Sequence, residues 1–279
     1  MSVVERNDGT VGKALAVLDR IASYGRPVRF GEVLATSDMP KATLYRFVQT
    51  LTNQGMLQYD PERQTYTPGL RLVRLAHAAW AQSSLAPVAR PHIDALSAET
   101  GETVHLAQLD HAQVLYVDKR NARDPVEMFS QAGKVGPAYC TGVGKAMLAF
   151  LPETELQTAL AQQSWHRFTA ATHGTADALK AELAEIRADG LSFDREEHEA
   201  GIVCVAAPIL NSHARPLGAL SVTGTTRRTD LETLSRLGPR LQQAARAIAR
   251  DVESWLFPQS ASPVPTAQNE GAPHVRSDT

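Results

Sequence analysis

Reactive side chains occur at several places in the chain, and their types and spacing limit the chemistry available. Cys140 and Cys204 are the two cysteines, and His105, His173, His198 and His213 are histidines that could partner them. Such a set would suit a thiol nucleophile or a metal site. No pair, however, has a zinc-ligand spacing such as Cys-x2-Cys or His-x3-His. Isolated cysteines in apolar strands are usually core residues. The sequence therefore assigns no catalytic residue, no metal ligand and no cofactor. Gly142-Val-Gly-Lys145 invites a phosphate-loop reading, but that motif needs Gly at 139 and Ser or Thr at 146. The chain has Tyr139 and Ala146, which removes nucleotide binding. What survives is a helix start. Free amides at Gly142 and Val143, beside the Thr141 hydroxyl, suit a small anion; the alternative is that Thr141 only caps the helix and the glycines only permit close packing.

Two further groups are ambiguous in the same way. Asp194-Arg-Glu-Glu-His-Glu199 is a charge run, normally a solvated loop, yet Asp194 ends a short apolar strand and could turn inward to accept a ligand hydroxyl. Ser221 and Thr223 flank Val222 in a late strand, so both point to one face. They line a cavity there or pack as small residues. A clearer constellation lies in Pro40–Leu51. Leu44, Phe47, Val48 and Leu51 recur at helical spacing and make one face apolar. Lys41, Thr43, Tyr45, Arg46, Gln49 and Thr50 fill the rest, with donors and cations and no carboxylate. Such a face can lie against phosphates and read base edges.

The elements that must position these groups follow from periodicity and punctuation. A first helix over Val11–Ser23 is stopped by Gly25 and Pro27. A short helix from Phe30 to Ser37 and the turn Asp38-Met39-Pro40 lead into the third helix, which Gly55 ends. Met56–Tyr59 and Thr65–Thr67 then read as a hairpin about Asp60–Gln64. Three helices and a hairpin predict a winged helix-turn-helix, with Arg63 on the wing. A helix over Leu70–Gln82 carries the stripe Leu72, Val73, Leu75, Ala76, Ala79 and Trp80, which packs on a partner subunit or on its own domain. Another spans Leu85–Thr100, with Pro87 in its first turn and Pro91 inside it.

Strands are predicted at Thr103–Leu109, Val114–Lys119 and Glu127–Ser130, with a loop at Gly133–Pro137. Helices follow at Gly142–Leu151, Pro152–Gln163 and Thr175–Ala188, then strands at Val203–Leu210 and Leu217–Thr223. One long helix over Asp230–Leu256 closes the fold. This order predicts an α+β domain with helices on one side of a largely antiparallel sheet. Residues 1–10 read as a polar arm and 258–279 as a disordered tail.

Composition bounds the rest. The chain has 279 residues, 43% of them hydrophobic, and a formal net charge of -2, enough for about two domains. Residues 1–75 hold ten Lys and Arg against seven Asp and Glu, whereas the remainder holds eighteen against twenty-three. A basic N-terminal module on an acidic body has the right sign for DNA binding. Two cysteines make no disulfide framework. No apolar run approaches a membrane span, and the N-terminus lacks a signal-peptide core. A cytoplasmic protein without a membrane partner is expected.

Several spaced blocks resemble the IclR family of bacterial transcription regulators over about residues 11–256. They are Lys13–Ile21, Pro40-Lys-Ala-Thr-Leu-Tyr-Arg46, Tyr66-Thr-Pro-Gly-Leu70, Thr100-Gly-Glu-Thr-Val-His-Leu106, Val117-Asp-Lys119, Tyr139–Ala146 and Gly190–Glu197, the last continuing through Cys204, Ile209 and Asn211. Arg29 stands where the family often has a Ser or Thr cap, and Leu210 where an aromatic or His is usual. The resemblance implies a winged helix-turn-helix domain (11–69), a linker helix (70–83) and a GAF-like effector-binding domain (84–257) with a central antiparallel sheet. It implies a homodimer, or a dimer of dimers (a homotetramer), on double-stranded operator DNA. Such a regulator, by default a repressor of a catabolic operon, is switched by a small organic-acid effector. DNA contacts would come from Lys41, Thr43, Tyr45, Arg46, Gln49 and Arg63. Effector contacts would come from Thr141, Gly142, Val143, Asp194, Cys204, Ser221 and Thr223. The rival readings are a Cys-dependent enzyme, with Cys140 or Cys204 as nucleophile and His198 as base, and a metal sensor built on Cys204 and a histidine.

Overall fold

The computed structural model describes residues 9–83 and 85–256. The 258–279 tail and the first eight residues of the expected arm lie outside them. The arm's last two residues, Gly9 and Thr10, are already helical. The chain divides into two compact units, 1–84 and 85–279.

The first unit runs α1 (Gly9–Ser23), β1 (Val28–Arg29), α2 (Phe30–Ala35), α3 (Lys41–Asn53), β2 (Leu57–Asp60), β3 (Thr65–Pro68) and α4 (Leu70–Ser83). Val17, Leu18, Ile21, Val33, Leu44, Phe47, Val48, Leu51, Leu57 and Tyr66 make one core. Strand β1 adds a third strand beside β3, with Val28 opposite Tyr66. Two residues are too few to leave a periodic signature, so the sequence did not announce it. Arg29 offers no side-chain cap to α2; instead its amide donates to Glu32 Oε2 at 2.8 Å. Gly55, at φ +70°, reverses the chain after α3. Gly69 lies so close that a side chain there would strike the Gly55 carbonyl. On α4, Leu72 packs on the core, while Leu70, Val73 and Leu75 stay exposed.

The second unit runs α5 (Ala86–Thr100), β4 (Thr103–Asp110), β5 (Gln113–Arg120), β6 (Val135–Pro137), α6 (Gly142–Leu148), α7 (Glu153–Ala161), α8 (Ala176–Asp189), β7 (Ser192–Arg195), β8 (Ile202–Leu210), β9 (Pro216–Thr225), α9 (Leu231–Ser235) and α10 (Gly238–Leu256). Its sheet has the order β6-β5-β4-β9-β8-β7, antiparallel throughout. His111 and Ala112 both take left-handed φ, 47° and 65°, the conformation that makes a tight β4–β5 hairpin.

Several expectations change. Glu127–Ser130 forms no strand; its polar groups are engaged elsewhere, the Phe129 amide with Glu199 and the Ser130 hydroxyl with His105. The edge strand is Val135–Pro137, inside the expected loop, paired with β5. Helices cover both faces of the sheet rather than one. Residues 203–209 of β8 are buried without alternation, which a sheet with one bare face cannot give. Helix α6 packs over Cys204 and Ala206, where Gly142 meets them. Helices α5 and α10 pack on the strands and on each other. Helix α6 is also shorter than expected: past Leu148 the chain tightens through i to i−3 bonds before Pro152. The single 230–256 helix is two helices, because Pro239 has no N–H to continue the first and fits the first turn of the second.

Candidate functional sites

In the first unit, burial of Leu44, Phe47, Val48 and Leu51 fixes the rotation of α3. Lys41, Tyr45 and Arg46 therefore face out, with Thr43 and Gln49 half-buried beside them. The Tyr45 ring meets Phe30 edge-on at 5.7 Å, which holds it against the helix pair. The Arg46 guanidinium lies 6.0 Å from the Phe47 ring. Gln49 lies beside the buried Tyr66 hydroxyl. Among the described residues neither Lys41 nor Arg46 is in an ion pair. The wing is built by Asp60, whose Oδ1 accepts the amides of Glu62 and Arg63 at 2.9 and 3.1 Å. Gln64 closes the turn at φ 54°. Arg63 stands out from it, 77% exposed and 3.9 Å from Asp60. The structure thus brings the five expected α3 residues together on one helix and sets Arg63 apart on the hairpin tip.

In the second unit, a cavity of about 30 Å³ gathers all seven residues expected to meet an effector. Thr141, Gly142 and Val143 come from the start of α6, Asp194 from β7, Cys204 from β8, and Ser221 and Thr223 from β9. Thr141 sits at the cap position but does not cap: its hydroxyl donates to the Pro137 carbonyl at 2.8 Å. Gly142 faces the Cys204 sulfur so closely that a Cβ would collide with it. Glycine is required there for the helix to approach the sheet.

The cavity also contains residues not expected at an effector site: His105, Tyr116, Met128, Ser130, His198, Glu199 and Ile202. His105 is the hub. Its Nδ1 is 3.3 Å from Ser221 Oγ and 3.2 Å from Thr223 Oγ1, and its Nε2 is 2.8 Å from Ser130 Oγ. Burial pushes its pKa down to about 3, so the ring is neutral. The signal for His105 was its place opposite Ser221 across the β4–β9 pair, which needs the register to be seen. His198 stands between Phe129 and Phe168, at 5.1 and 4.7 Å ring to ring. Burial lowers its pKa as well. Asp194 is 6% exposed and accepts the Glu197 amide at 2.7 Å. Burial, reinforced by the Glu197 carboxylate, raises it to about 7.

Burial also pushes the thiols of Cys140 and Cys204 well above their ordinary range. An activated nucleophile needs the opposite shift, so the geometry gives the enzyme reading no support. Lys145, the lysine of the rejected phosphate loop, is fully buried and turned away from the cavity lining. Its Nζ lies 2.8 Å from Glu182 Oε1 and 2.5 Å from Glu197 Oε1. Arg195 reaches the same Glu182 oxygen at 2.9 Å, and His173 the other at 2.6 Å. Burial works against the Glu182 charge, but these partners hold its pKa below the ordinary value. His173, Glu182 and Glu197 converge closely enough to suit an ion, but Lys145 and Arg195 already neutralise the two carboxylates. Cys204 does not belong to that group, so the metal-sensor reading loses its ligand set.

Comparison with known proteins covers both units. The family model for the bacterial transcriptional regulator IclR C-terminal matches residues 77–250, and that for the IclR helix-turn-helix domain matches residues 10–61. The HTH-type transcriptional regulator XynR of Escherichia coli is 32% identical over 86% of this chain and 96% of its own. The acetate operon repressor of Salmonella typhimurium is 29% identical over 85% of this chain and 87% of its own. The crystal structure of the Thermotoga maritima IclR superposes with a TM-score of 0.71 at 30% identity, covering 87% of this chain and 98% of that one.

Proposed function

Since the chain belongs to the IclR family of bacterial transcriptional regulators, whose members bind DNA and small-molecule effectors, we propose that it represses a catabolic operon through α3 and is switched through the cavity of the second unit. The observation that carries the first half is the outer face of α3: exposed, cationic and free of carboxylates on a winged helix-turn-helix. Thr43, Tyr45 and Arg46 read base edges in the major groove, while Lys41, Gln49 and the wing's Arg63 contact phosphates. The protein acts in the cytoplasm as a homodimer or a dimer of dimers, and the exposed Leu70, Val73 and Leu75 of α4 supply an apolar surface for the partner. Two-fold symmetry requires an operator with two related half-sites about one helical turn apart. It is not an enzyme: its cavity is a sensor.

An organic acid would sit at the Gly142 and Val143 amides, with Asp194, Cys204, Ser221, Thr223 and Thr141 around it. The cavity is at least about tenfold smaller than the 300–1,000 Å³ usual for ligand pockets, so the effector binds an expanded form and shifts the population toward it. A ligand that prefers one arrangement of the DNA-reading helices then changes operator affinity by that preference alone.

The test is titration of fluorescent duplexes from the protein's own promoter region and of scrambled sequence. Operator binding at least about 10³-fold tighter than random binding is expected. Equal affinities would sink the reading.

A further inference from the structure

The cavity presents a charge problem to an acidic ligand. Its ionisable lining groups are Asp194, Glu199, His105, His198, Tyr116 and Cys204, and no lysine or arginine is among them. Both histidines are held toward the neutral form by burial. The nearest buried cation is Lys145, but Glu182 and Glu197 already bind its ammonium group. Glu199 has relief: Lys119 on β5 is its electrostatic neighbour, and the Phe129 amide donates to it at 3.3 Å. Asp194 has only partial relief, from the backbone amides of Glu197 and His198 and from Lys145, whose ammonium group Glu182 and Glu197 already share. The Glu197 carboxylate opposes its charge, and Cys140, Cys204 and Tyr116, kept neutral by burial, offer no compensating charge. A carboxylate entering beside an ionised Asp194 would bury two like charges with no free cation between them, an arrangement a low-dielectric site resists.

We propose that an organic acid enters this cavity together with one proton, which Asp194 holds and shares with the ligand carboxylate as a hydrogen bond, and that a ligand carrying a second carboxylate is refused. The proton comes from solvent and is released when the ligand leaves. The inference rests on the reading of this cavity as the effector site. Because burial already raises Asp194 to about 7, the protonated form is well populated at neutral pH. The regulator then responds to acid concentration and pH together, and selects monocarboxylates.

Calorimetric titration of the full chain decides the matter. The probes are glycolate, lactate, pyruvate and benzoate as monoanions, malonate and succinate as dianions, and lactamide as a neutral control. Each is run from about pH 6 to pH 9 in two buffers of different ionisation heat. Above about pH 6 the monoacids are fully ionised, so any pH dependence belongs to the protein. The expected result is uptake of about one proton per ligand near pH 8, and an affinity that falls roughly tenfold per pH unit above it. The dianions should bind at least about tenfold more weakly than the monoanions. Asp194→Asn keeps an acceptor for the Glu197 amide and supplies an N–H in place of the acid proton. It should bind the monoanions without proton uptake and with flat affinity. Monoanion binding by wild type with no proton uptake overturns the proposal and leaves the effector reading standing. So does an Asp194→Asn variant that keeps the wild-type pH dependence, or preference for lactamide over lactate at every pH. Binding of no acid at any pH overturns the effector reading, and the proposal with it.

Discussion

The outer face of α3 and the cavity behind α6 solve opposite electrostatic problems. On α3 the cations Lys41 and Arg46 are exposed and unpaired among the described residues. Their charge is screened, carries little structural energy and stays available to a polyanion. Behind α6 the charges are buried. Lys145 is clamped by two glutamates, and Asp194 is held near neutrality by burial. There a charge is either fully partnered or titrates. On the proposed reading, a surface that binds DNA keeps its charges loose, whereas a cavity that senses a small molecule makes each one count. Mutations on the two sides should therefore fail in different ways: structural collapse where the buried ion pairs behind α6 are broken, graded loss of affinity on α3.

The largest expected effect is at Lys145. Lys145→Met keeps much of the side-chain volume but leaves Glu182 and Glu197 buried with their shared cation gone. The second unit should lose about 3–5 kcal/mol at pH 7, read as a drop in Tm of roughly 10 °C. The sign of the pH effect is also fixed. Arg195 and His173 still partner Glu182, but Glu197 is left a buried carboxylate without its cation, so the variant is most stable at low pH and loses stability as pH rises. Part of the loss should return near pH 5, and a variant as stable as wild type at pH 7 would break the contrast. Next comes Arg46→Ala, which leaves the folding stability within about 0.5 kcal/mol of wild type. If Arg46 makes a bidentate contact to a guanine, operator binding should weaken by about 1–3 kcal/mol, with relaxed specificity at that base pair. The smallest effect is Lys41→Ala. Operator and random DNA should weaken alike, and the salt slope should flatten by about 1. A selective loss at one base pair would move Lys41 from the phosphates to the bases.

What was legible in the sequence follows the same division. The face of α3 is written within one helix, so its period reveals both the buried and the exposed side. The cavity is assembled from the start of α6, strands β4, β5, β7, β8 and β9, and two connections. Ser221 and Thr223 could be placed on one face by alternation, but their shared partner His105 depends on the β4–β9 register. That register is a tertiary fact. Ser130 and Met128 lie in the segment Glu127–Ser130, expected as a strand, although its polar atoms are committed to His105 and Glu199. Thr141 shows a different limit: its residue type suits a cap, and only the structure reveals that its hydroxyl turns back to Pro137. Lys145 was visible only as part of a failed phosphate motif, because its partners lie 37 and 52 residues away.

The small volume of the cavity also governs timing. Space of about 30 Å³ holds one or two waters, so no organic acid enters at the rate at which it collides with the protein. If the cavity is the effector site as proposed, entry requires its lining to part, and lid openings of that kind take microseconds to seconds. The apparent affinity is the intrinsic one reduced by the fraction of time the cavity stands open. At high effector concentration the observed association rate should therefore level off at the opening rate.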